Sequence, residues 1–91
     1  MTATRQWKVD IFIDEHEDQR FTRAEARLQT NDPTHLVGHG EAHRHPRDVE
    51  VAEIGDELAA ARALANLSHL LVDAATKNIE AIASRRTAPR P

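Results

Sequence analysis

The sequence predicts an α+β fold: a three-stranded antiparallel β-meander followed by a long C-terminal helix, in the order β-β-β-α. Three observations carry that expectation. Apolar residues alternate at period two in the first half of the chain, a turn-forming TNDPT interrupts the alternation, and from Ile54 the apolar spacing changes to that of a helix. Strands followed by a helix build a layer in which the helix covers one sheet face.

The first strand is QWKVDIFID, where Trp7, Val9, Ile11 and Ile13 alternate with Lys8, Asp10, Phe12 and Asp14. Phe12 breaks an otherwise polar face, which suits coverage by another chain or by the tail. The acidic DEHED reads as an exposed turn. The second strand is RFTRAEARLQ, with Ala24, Ala26 and Leu28 on one side and Arg23, Glu25 and Arg27 on the other. Opposite charges at neighbouring same-face positions suit a solvated face. Asn31, Asp32 and Pro33 favour a turn through side-chain bonds and a fixed φ, so a hairpin should reverse there.

A third strand begins about His35, with Leu36, Gly38, Gly40 and Ala42 on one face and Val37, His39, Glu41 and His43 on the other. The small residues leave room for the close approach of a helix or ligand. Pro46 ends this strand, and RDVEVAE is an irregular connection. The helix then places Leu58, Ala61, Leu64, Ala65, Leu67, Leu71 and Ala75 on a broad apolar face over about five turns. Its alanines favour helix, and Asp56 and Glu57 complement the helix start. TKNIEAIAS either continues the helix or forms a short extra terminal helix, with Ile79 and Ile82 facing inward. Residues 1–84 read as a single domain and 85–91, RRTAPRP, as a disordered basic tail.

At 91 residues and 40% apolar content, a single small core is expected, and no cysteine is present to staple it. Trp7 and Phe12 on opposite faces of one strand are more than a single helix shields. A homodimer is therefore expected, with Trp7, Phe12 and Arg62 as interface residues; Arg62 alternatively forms an intrahelical ion pair with Asp56 or Glu57. The net charge of −3 opposes non-specific phosphate binding. No apolar run approaches the roughly 20 residues that span a bilayer, and MTATRQWK has no hydrophobic signal region, so a cytoplasmic protein without membrane partners is expected.

Taken together, WKVDIFIDEHE, TRAEARL, LVGHGEA, HPRD and above all EIGDELAAARALANL resemble a small actinobacterial family of unknown function associated with hypoxia and dormancy responses. The resemblance covers roughly residues 7 to 82, and the block from Glu53 to Leu67 is its most specific part. It implies a β-β-β-α arrangement similar to a double-stranded-RNA-binding domain lacking its first helix, often dimeric, with a likeness to ribosome hibernation factors that suggests translation arrest. No catalytic residue is implied. His39, His43, Arg44 and His45 depart from the residues usual in that family.

Three candidate chemistries follow. His39, Glu41, His43 and His45 alternate along one strand face and are residue types that bind zinc, yet His39 and His43 lie about 13 Å apart at 3.3 Å per residue. They cannot all hold one ion, and no metal or other cofactor is expected. Arg23, Arg27, His39, His43, Arg44 and Arg47 form the candidate RNA- or partner-binding set, extended by Arg85, Arg86 and Arg90. Enzymatic activity is not expected, because no cysteine, Gly-rich phosphate loop or metalloprotease-type histidine pair occurs, and no small-molecule substrate is indicated. The expected function is a small stress or dormancy regulator that binds the ribosome or RNA. The alternative is a protein-interaction module whose clustered histidines respond to pH or metal.

Overall fold

The computed structural model describes residues 2–31, 35–43 and 52–87. It contains strands β1 (Lys8–His16), β2 (Phe21–Gln29) and β3 (Leu36–His43) and one helix, α1 (Ala52–Thr87). The strands form one antiparallel sheet in the order β1-β2-β3, so the expected meander and α+β class are observed. β1 and β2 pair without a bulge from Lys8 opposite Gln29 to His16 opposite Phe21. β1 therefore runs two residues past the expected strand, taking Glu15 and His16 from the predicted acidic turn. Pairing with Thr22 and Phe21 outweighs their local preference for a turn. The actual reversal is a single 3-10 turn (Glu17–Gln19), closed by Arg20 at a left-handed φ of 54° whose amide donates to the Glu17 carbonyl at 3.2 Å. The β2–β3 hairpin keeps Leu28 opposite Leu36; Asp32 and Pro33 lie outside the described residues.

Alternation places Thr22, Ala24, Ala26 and Leu28 of β2 and Gly38, Gly40 and Ala42 of β3 in the buried layer against α1. The helix answers with Ala59, Ala63 and Leu67, and Leu36 and Leu71 pack at the margin. This core is thin, because among the described residues every buried apolar side chain except Leu28 and Leu67 is alanine. The predicted helix face is observed only in part: Leu67 and Leu71 pack toward the sheet, whereas Leu58, Ala61, Leu64, Ala65 and Ala75 are exposed. Gly38 and Gly40 explain the choice. A Cβ built on Gly38 would lie 2.3 Å from the Ala63 carbonyl oxygen, and one on Gly40 2.3 Å from the Ala63 nitrogen and 2.4 Å from the Ala59 carbonyl oxygen. Backbone meets backbone there, and only the alanine side of the helix fits.

α1 is a single helix of 36 residues with no break before TKNIEAIAS. It also takes in Arg85 to Thr87, which the sequence placed in the tail; arginine is a good helix former. At about 1.5 Å per residue it spans about 54 Å, whereas the nine-residue strands span about 30 Å. From Ala75 to Arg85 every side chain is exposed, so Ile79 and Ile82 do not face inward: the helix has already run past the sheet. The radius of gyration, 18.7 Å, exceeds the roughly 12 Å of a compact chain this long. α1 packs on β3 and β2 and barely touches β1, leaving Val9, Ile11 and Ile13 about 40% exposed.

Candidate functional site

Among the described residues no element covers the sheet face opposite α1, and strand register arranges its side chains in rows. His16, Phe21 and His43 form the first row, Asp14, Arg23 and Glu41 the second, Phe12, Glu25 and His39 the third, and Asp10, Arg27 and Val37 the fourth. The first row is stacked: the His16 and Phe21 rings lie 4.5 Å apart, and the Phe21 and His43 rings 5.5 Å. The arginines extend over the phenylalanines. Arg27 sits 4.3 Å above the Phe12 ring and Arg23 5.6 Å from that of Phe21, both within cation–π range.

Carboxylates hold these cations in place. Arg27 donates through Nε and Nη2 to Glu25 at 3.2 and 2.9 Å, and Arg23 donates through Nε to Glu41 at 3.3 Å with its Nη2 ion-paired to the same oxygen at 3.2 Å. His43 Nε2 donates to the other Glu41 oxygen at 3.2 Å, and His39 Nδ1 stands 4.0 Å from Glu25. Gln29 donates to Asp10 and Lys8 pairs with it at 3.5 Å. The face thus sets three formal cations against four carboxylates.

These bonds hold both glutamates below the usual value of 4.5. The Arg27 hydrogen bond dominates for Glu25 and the His43 hydrogen bond for Glu41, with Arg23 adding to the latter. A carboxylate lowered on folding contributes stability that is complete above its unfolded value and lost as pH falls through its folded value. A Glu41→Gln variant should therefore melt slightly below the wild type at pH 7 and together with it well below pH 4.5, as thermal denaturation would show. Solvent screening keeps the difference small, and added salt should shrink it.

Arg23, Arg27, His39 and His43 are brought together as the alternation predicts. His45, Arg44 and Arg47 lie outside the described residues. His39 and His43 turn to different glutamates, and among the described residues no three His, Asp or Glu side chains converge to hold a metal ion. Phe12 joins the open face, and Trp7 precedes β1, 54% exposed. Arg62 engages its own chain's sheet: Nη1 donates to the Glu41 carbonyl at 2.7 Å. One turn on, Asn66 Oδ1 accepts the His39 amide at 2.8 Å, so two helix side chains occupy the outer edge of β3.

Sequence reasoning missed Phe21, His16 and Asn66. Phe21 and His16 share faces with the selected residues but become neighbours only through register, whereas Asn66 was detectable as a polar residue within an apolar helical run.

A family model covers nearly the whole architecture, matching residues 5–88. The chain belongs to the Rv2632c-like family. Among its relatives, uncharacterized protein MT1780 of Mycobacterium tuberculosis (strain CDC 1551 / Oshkosh) is 49% identical over 78 residues, spanning 86% of this chain and 80% of that protein. Uncharacterized protein Rv2632c of M. tuberculosis (strain ATCC 25618 / H37Rv) is 45% identical over 74 residues, spanning 81% and 76%. The crystal structure of Rv2632c aligns with a TM-score of 0.80 at 38% identity over 98% of both chains, so the Rv2632c-like fold is also seen experimentally. Among the described residues, no helix is long and apolar enough to cross a membrane.

Proposed function

We propose that this chain is a non-enzymatic, homodimeric binding protein that docks through its open sheet face on the ribosome or another RNA with unpaired bases, as a stress or dormancy regulator. The observation that carries the reading is the pair of arginines laid over Phe12 and Phe21 on a sheet face that no described element covers. Sheet faces bearing aromatic side chains stack splayed bases, and guanidinium planes do so as well. The homodimer is supported by the thin alanine core and by the half-exposed Val9, Ile11 and Ile13.

Because the carboxylates outnumber the formal cations, stacking would supply more of the affinity than phosphate neutralisation. Two available arginines correspond to a shallow salt dependence, a slope of about −2 or less in log K against log salt. The test is co-sedimentation with ribosomes through a sucrose cushion at two salt concentrations. Saturable binding that Arg23→Glu with Arg27→Glu abolishes is the expected result. Protein left in the supernatant at both salts would overturn the reading.

The His16–Phe21–His43 stack favours a second reading, a protein-interaction surface that responds to pH or metal, since protonation would place cations on both sides of one ring. Calorimetric titration with zinc checks its metal branch: no heat at tens of micromolar would remove a specific metal role.

A further inference from the structure

The two edges of the sheet are treated differently. Arg62 and Asn66 occupy the outer backbone groups of β3 at Glu41 and His39. Among the described residues, nothing pairs with the outer edge of β1, a nine-residue strand free of proline and bulges. A long, regular, partly apolar edge of this kind is a template for another strand. We infer that the free edge of β1 pairs antiparallel with β1 of a second copy about a twofold axis at Ile11, joining two sheets into one of six strands. This inference rests on the homodimer reading above and gives that dimer its geometry.

Hydrogen-bond alternation identifies the residues that face outward. Facing residues in an antiparallel ladder alternate between bonded and non-bonded pairs. The His39 amide is taken by Asn66, so His39 and Glu25 are a non-bonded pair and Glu25 turns its backbone toward β1. Phe12, opposite Glu25, is then bonded to β2, and its neighbours Ile11 and Ile13, with Val9, turn their amides and carbonyls to the free edge. With the axis at Ile11, Ile11 faces its own copy and Val9 faces the partner's Ile13, so every facing pair of this set is a bonded pair.

Side chains select this register. On the helix side it joins the half-exposed Val9, Ile11 and Ile13 of both copies into one apolar strip. On the open side Lys8 falls opposite the partner's Asp14, twice by symmetry. Moving the axis to Phe12 sets Asp10 against the partner's Asp14 and Val9 against the partner's Glu15, and moving it to Asp10 opposes two Asp10 carboxylates. Like charges directly opposite are destabilising.

The chain has no cysteine, so single replacements report cleanly. Sedimentation equilibrium of the wild type at tens of micromolar should give a dimer, and Ile11→Cys should form an intermolecular disulfide under mild oxidation, because Cα atoms of a bonded pair lie about 5.5 Å apart, within disulfide range. Val9→Cys should not, since its copies would sit about 13 Å apart along the strands. Lys8→Asp and Asp14→Lys should each weaken the dimer several-fold, and the double variant should recover it. A wild-type dimer that cross-links through Phe12→Cys instead would overturn the register. A dimer unaffected by all these changes would overturn the edge interface and move it to the exposed helix stripe of Leu58, Leu64 and Val72. A wild-type monomer would overturn the homodimer reading itself.

Discussion

Replacing Gly40 with alanine should destabilise the fold by about 3 kcal/mol or more, the upper end of the overpacking range. The added methyl would meet backbone atoms of Ala59, Arg62 and Ala63 at 2.3 to 2.7 Å, and no rotamer relieves a clash with backbone. α1 would have to lift away from β3, loosening the contacts of Ala59 and Ala63 and the bonds from Arg62 and Asn66 together. Small domains hold only about 5–15 kcal/mol, so urea denaturation should show a large loss or no folded baseline. Gly38→Ala should behave alike. Gly55→Ala is the contrast: the nearest atom, the Thr22 Oγ1 at 3.1 Å, belongs to a side chain, and alanine favours helix by about 1 kcal/mol, so its effect should stay within about 1 kcal/mol.

Leu67→Ala should cost about 2–4 kcal/mol, through lost burial and the cavity left beneath the helix. Leu67 is 3% exposed and is one of only two leucines in the buried cluster, so few neighbours can close the gap. Leu64→Ala, three residues earlier on the exposed side, should cost less than about 1 kcal/mol in a monomer. The pair separates the part of the predicted apolar face that the sheet buries from the part it leaves exposed.

The partly misassigned helix face marks where sequence reasoning stops. Both sides of α1 are apolar, so spacing alone cannot choose between Leu58 with Leu64 and Ala59 with Ala63. The choice is made by Gly38 and Gly40, across a long stretch of chain. The helix length was more accessible, since no glycine or proline interrupts residues 56–88. The strands were readable because period two survives in KVDIFID and FTRAEARLQ; Gln6 and Trp7, predicted as strand, precede β1, and Glu15 and His16 were lost to a local charge pattern that pairing overrides. On the open face, alternation placed Arg23, Arg27, His39 and His43 together. The Phe21 stack and the Asn66 contact depended on register and on the crossing of helix over strand, which composition does not carry.

The overhang of α1 also divides the molecule by amide hydrogen exchange. Around Ala59 to Leu67 the helix is anchored to the sheet through Ala59, Ala63 and Leu67, and its amide protons should exchange only when the whole fold opens. From Ala75 to Arg85 every side chain is exposed, so protection there should follow the helix–coil equilibrium more than global unfolding and should decay toward the C-terminus. One polypeptide element thus carries two separate clocks, and a ligand that clasps the free end would slow the faster one without touching the slower.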